Sequence, residues 1–239
     1  MSLLQADEPF RRCLRDLPLT LVKSLENAAA LGPLCLEGDE VTRAILLRLR
    51  AYYMAQRAIT NFLDKRVATA GADFFVETLV FYLRVLNKTH QLGAAIESEA
   101  ALEKKRGSPR PDITIRCNGE PVAIIECKTQ LGWSKNGEWL VDFEARERSI
   151  HERFSELRVF LVVMTEANWE GFQEKQRVSC GDLRVGSQFF ALLKKNHWPT
   201  DLDSERLCEV IQNPIEPLFL QIAQIADARW QPEAAPKAG

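Results

Sequence analysis

Residues 111–128 read PDITIRCNGEPVAIIECK: Pro111-Asp112, an apolar run, Asn118-Gly119, a second apolar run, then Glu126-Cys127-Lys128. Asp112-Ile113-Thr114-Ile115 and Val122-Ala123-Ile124-Ile125 are rich in β-branched residues, and Asn-Gly between two such runs is a hairpin turn signal. Two acids and a lysine therefore stand at neighbouring ends of one hairpin. Carboxylates hold hard divalent cations through oxygen, and a lysine beside them can orient a water or offset developing negative charge. Such a set suits metal-assisted phosphodiester hydrolysis.

The register of that hairpin is a test of the site. If Asn118-Gly119 were a simple two-residue turn, Cys117 would pair with Glu120 and Asp112 with Ile125. Side chains alternate along a strand, so Asp112 and Glu126 would then lie on opposite faces. A shared cation needs one extra residue. The simplest form is a three-residue loop 117–119 with Gly119 in the left-handed position, which sets Asp112 opposite Ile124 and diagonal to Glu126; another register shift before Glu126 would also serve.

Outward from the hairpin, Gly93–Glu99 reads as a short strand, and Asp73–Lys88 as a buried helix, apolar on most sides. On the far side, Asp142–Leu157 is a charged helix with Phe143, Ile150, Phe154 and Leu157 as its apolar positions. Val159–Met164 follows as a fully buried strand. One helix between strands 121–128 and 159–164 suits a parallel crossover. Residues 1–70 read as helical, with helices from Leu17 to Leu31 and from Asp39 to about Ala70. Past residue 166 the pattern suggests helices over Gly186–Asn196, Ser204–Gln212 and Glu216–Trp230, then a loose tail over 231–239.

The order helix, three strands, helix, strand, with Pro111, Asp112, Glu126 and Lys128 at its centre, resembles the αβββαβ core of the PD-(D/E)XK nuclease superfamily, to which many type II restriction endonucleases belong. The resemblance covers about residues 73–165. It implies an α/β, restriction-endonuclease-like core with a mixed sheet flanked by helices, a helical N-terminal region (1–70), a nuclease core (71–165) and a mainly helical C-terminal extension (166–230). It implies Asp112 and Glu126 as metal ligands, the Cys127 carbonyl as a third, and Lys128 positioning or activating the attacking water. Mg²⁺ is the implied cofactor, with Mn²⁺ as a substitute, and double-stranded DNA the implied partner. Restriction of foreign DNA is the favoured role, and a palindromic target implies a homodimer. A structure-specific or repair nuclease of the same fold, and a catalytically silent DNA-binding or assembly module, are the alternatives.

Family members often carry an acid on the helix before the first strand, and Glu77 stands there. It also shares a stripe with Asp73, Arg84 and Lys88 that reads equally as a solvated edge. Glu97 and Glu99 are rivals for the same place. Basic candidates for phosphate contact are Lys104-Lys105-Arg106 with Arg110, Arg146 with Arg148, and Lys194-Lys195. Trp133 and Trp139 flank Lys135-Asn136-Gly137 in a loop that either overlies a substrate groove or packs on the core.

Composition sets the outer bounds. The 239 residues are 46% hydrophobic and 27% charged, ordinary for a globular chain. Lys plus Arg is 31 and Asp plus Glu is 33, so any nucleic-acid surface must be local. No run of about 18 apolar residues reads as a membrane span. Residues 1–16 mix acids with bases and do not read as a signal peptide. Six cysteines without a CxxC pair, and three dispersed histidines, point to reduced thiols in the cytoplasm and away from a zinc site.

Overall fold

The computed structural model describes residues 1–66, 71–130, 139–165, 184–194 and 197–229. Four helices, α1 (Leu3–Ala6), α2 (Glu8–Ala30), α3 (Glu40–Phe62) and α4 (Ala72–Thr89), lead into strands β1 (Ala95–Ser98), β2 (Ile113–Cys117) and β3 (Glu120–Lys128). Helix α5 (Trp139–His151), strands β4 (Arg158–Thr165) and β5 (Phe189–Leu193), a 3₁₀ turn (Pro199–Asp201), α6 (Leu207–Val210) and α7 (Glu216–Arg229) follow. The strands lie in sequence order in one mixed sheet, antiparallel across β1, β2 and β3 and parallel across β3, β4 and β5. This is an α/β architecture with helices on both faces.

The sheet divides the core. On one face Ile113, Ile115, Ala123, Ile125, Cys127, Val162 and Phe190 join Phe75, Leu79 and Leu83 of α4 and Leu218, Phe219 and Ile222 of α7. On the other, Ile124, Val159, Leu161, Val163 and Phe189 meet Phe143 and Ile150 of α5. Residues 112, 114 and 116 alternate away from the first face, so Asp112 shares the α5 face with Ile124 and Glu126.

The hairpin contains the required extra residue, but not in the turn. Cys117 pairs with Glu120 around a two-residue turn in which Asn118 (φ 53°) and Gly119 (φ 82°) are both left-handed, as a type I′ turn demands. The shift comes next: Arg116 pairs with Pro121 and Ile115 with Ala123, leaving Val122 without an opposite number. The three-residue loop over 117–119 is thus corrected to a tight turn followed by a bulge. Pro121 cannot donate to the ladder, which favours an irregularity beside it. Beyond the bulge Ile113 faces Ile125, so the next pair in line is Asp112 with Glu126, not Asp112 with Ile124.

Other expectations change as well. The helix expected over Gly186–Asn196 gives way, in its described part, to a strand: Phe189-Phe190-Ala191-Leu192-Leu193 is fully buried and paired with β4. A short apolar run has no periodicity to separate a buried strand from a buried helix, and only the free edge of β4 decides between them. The second helix of the C-terminal region shrinks to Leu207–Val210. The N-terminal helix begins at Glu8, not Leu17, with Pro18 inside it. The tail over 231–239 and Cys180 lie outside the described residues.

One buried carboxylate ties the two ends of the chain together. Glu216, the first residue of α7, accepts the Thr42 N–H at 3.0 Å and the Thr42 hydroxyl at 2.6 Å, while the Ile215 N–H donates to Thr42 Oγ1 at 2.8 Å. Thr42 lies in the first turn of α3, whose own cap residue Asp39 makes no side-chain capping bond. Glu216 therefore satisfies an N–H that the helix cannot satisfy itself.

Candidate functional site

β3 alternates so that Glu126 and Lys128 share a face, and the bulge at Val122 brings Asp112 onto that face beside them. Asp112 is fixed from two sides. Its Oδ2 accepts the Cys127 N–H at 2.7 Å, and its carbonyl accepts the Glu99 N–H at 3.1 Å and the Ser98 hydroxyl at 3.2 Å. Lys128, the last residue of β3, is exposed.

Glu126 is only 5% exposed. Burial holds its carboxyl above the ordinary carboxylate value; Arg146 pulls it back down, Asp112 pushes it up and Lys128 pulls it down. Asp112 and Lys128 are the groups expected beside Glu126; Arg146 is an addition. Arg146 Nη2 lies 2.7 Å from Glu126 Oε1. The contact joins a partly exposed guanidinium to a buried carboxylate.

Arg146 was legible only as a basic residue. Its place on α5, three residues after buried Phe143 and four before buried Ile150, puts it on the stripe that faces the sheet. An arginine on the apolar stripe of a helix that follows an acidic strand end is the signal that could have marked it.

The other candidates fall elsewhere. Glu77 is exposed on α4, and its charge neighbours are Arg48 and Tyr52 of α3; it is not among the groups acting on Glu126. Glu97 is on the right face, but Arg116 takes it up at 2.9 Å and also donates to the carbonyls of Gly119, Ala101 and Leu102. Glu99 is exposed, with φ 52°, and meets Asp112 only through backbone. Cys127 is buried and its thiol is pushed well up by burial and then by Asp112 and Glu126, so its sulfur is a poor nucleophile. His151 Nε2 is 2.8 Å from the Leu157 carbonyl, a structural contact.

The loop between β1 and β2 leads straight into Asp112. It closes on itself through Leu102 N–H to the Pro109 carbonyl, Glu103 N–H to Ser108 Oγ and Ser108 N–H to the Lys105 carbonyl. Lys104, Lys105 and Arg106 sit exposed at its tip, and Arg110 is exposed two residues before Asp112. Lys194, by contrast, spends its ammonium on the Glu209 carbonyl at 2.7 Å. Lys195, Trp133 with 135–137, and the side chain of Trp139 lie outside the described residues.

Among the described residues no three His, Cys, Asp or Glu side chains converge into a metal cage. The donor set is two carboxylates, one of them with a buried oxygen met by an arginine. That set fits Mg²⁺, which keeps several waters and takes one or two carboxylates together with substrate oxygens. It does not fit zinc, which prefers Cys and His in a closed tetrahedron. No helix among the described residues is long and apolar enough to cross a membrane. Compared with protein-family models, curated proteins and solved structures, the chain matches none.

Proposed function

We propose that the chain is a metal-dependent phosphodiesterase acting on double-stranded DNA. Within that class the reading is a Mg²⁺-dependent endonuclease of the PD-(D/E)XK type, with restriction of foreign DNA as its role. The observation that carries it is the bulge at Val122, which sets Asp112 in line with Glu126 and Lys128 on one sheet face.

In this reading Asp112 and Glu126 hold the cation, with the Cys127 carbonyl beside them. Bound there, Mg²⁺ would supply Lewis-acid stabilisation of charge on the scissile phosphate. Lys128 orients the attacking water and offsets negative charge as the phosphate is attacked. The Cys127 N–H holds one oxygen of Asp112, which leaves the other to face the cation. The exposed tip Lys104-Lys105-Arg106, with Arg110, tracks the DNA backbone next to the cut. Phe10, Leu14, Leu17 and Leu21 form an exposed apolar stripe on α2 at the 4-3-4 spacing that pairs helices, which suits the homodimer of a palindromic cutter.

A catalytically silent DNA-binding module of the same fold is the second reading, and the Arg146–Glu126 ion pair is the observation in its favour. Digestion of mixed plasmid and phage DNA separates the two. The expected result is discrete bands with Mg²⁺, none with EDTA, and a loss of about 10²-fold or more in rate for Lys128→Ala. A smear with the same dependence keeps the nuclease and removes the restriction role. Absence of cleavage by a protein that still binds DNA would give the silent module the stronger case.

A further inference from the structure

Arg146 meets Glu126 in an unusual way for an arginine on a protein surface. Its side chain is 44% exposed while that of Glu126 is 6% exposed, so the cation reaches inward from solvent to a carboxylate that cannot come out. The atom it meets, Oε1, is buried and lies 2.7 Å from Arg146 Nη2. Arg184, which pairs with the same helix, shows the contrast: it engages Glu144, Glu147 and Gln188 together and is held in place. Arg146 has the one ion pair among the described residues. Helix α5 is anchored by Phe143 and Ile150 in the core and does not depend on the arginine. Nor can Asp112 absorb the arginine's role, since it brings a second negative charge to Glu126 and its Oδ2 is committed to the Cys127 N–H.

We propose that Arg146 is a resident counter-charge for Glu126, which a divalent cation must displace to load the site. The inference rests on the metal-site reading above and adds its regulation: the arginine sets the cation concentration at which the site fills. Two cations competing for one carboxylate are coupled negatively, and removal of one strengthens the other by the same factor.

The test is direct Mn²⁺ binding by calorimetry and by electron paramagnetic resonance on the full-length chain. Arg146→Gln should bind Mn²⁺ roughly tenfold more tightly than the parent, within the usual span of coupling between two sites. Arg146→Lys, which keeps the charge, should fall between them, and Arg148→Gln should match the parent. Melting supplies the second readout. Arg146→Gln should start lower than the parent and gain more from Mn²⁺, because a ligand that binds the folded state stabilises it in proportion to its affinity. Equal affinity in parent and Arg146→Gln, with binding lost in Asp112→Asn, overturns the inference and leaves the metal site standing. Weaker binding in Arg146→Gln also overturns it, by making the arginine part of the site's framework. No Mn²⁺ binding to any of these proteins overturns the metal-site reading and this inference with it.

Discussion

Glu216 and Glu126 are both almost wholly buried, at 1% and 5% exposure, and the chain treats them in opposite ways. Glu216 receives a backbone N–H and a hydroxyl from Thr42, 174 positions away, and caps the first turn of α3. Glu126 receives one arginine from solvent and a second carboxylate as neighbour. A buried charge that is hydrogen-bonded on all sides has a structural task; one left short of partners beside a like charge is costly unless something else completes it. The difference teaches where to look for function. On the function proposed above, that place is the carboxylate the fold leaves incomplete.

The comparison can be broken at its structural end first. Glu216→Ala should cost about 3 kcal/mol in urea unfolding, since it strands the buried Thr42 N–H and hydroxyl together. A loss under about 1 kcal/mol would remove Glu216 from its role as a tie between the chain ends.

The same α3 offers a smaller effect with a pH signature. Burial, then Tyr52, pushes the Tyr53 hydroxyl up to about 12, and a Cβ added at Gly71 would collide with that oxygen. The folded value lies above the ordinary tyrosine value of 10.0, so the stabilisation is fully present below pH 10 and is lost as pH rises through 12. With the group half exposed and screened, the loss is about 1 kcal/mol. Tyr53→Phe should flatten that alkaline limb; an unchanged limb would assign it to other groups.

The smallest stability effect belongs to Glu126. Glu126→Gln removes the buried charge together with its ion pair, and these offset, so stability should move by no more than about 0.5 kcal/mol while DNA cleavage is lost. A loss comparable to that of Glu216→Ala would make Glu126 a structural residue after all.

Much of this fold was readable along the chain because its signals are local. Asn118-Gly119 between two β-branched runs marks the hairpin, and α4, α5 and β4 announce themselves by period and length. β5 was not readable, since Phe189–Leu193 carries no periodicity and takes its identity from the edge of β4. The need for one extra residue in the hairpin followed from alternation alone. Its place at Val122 did not, because turn and strand compete for the irregularity and only the packed sheet resolves them.

For the site, Asp112, Glu126 and Lys128 were named by type and spacing, and the α5 face now holds all three. Arg146 was visible only as one basic residue among several, and Glu77 as an acid on a helix that turns it toward Arg48 and Tyr52. By itself the sequence determined the α/β pattern, the hairpin and the three residues at its ends, because strand alternation and turn chemistry act within a few residues. The tertiary structure alone decided the fifth strand, the Thr42–Glu216 clamp and the partner of Glu126. Each depends on which distant surface arrives to meet a residue, and that is set by burial of the whole sheet.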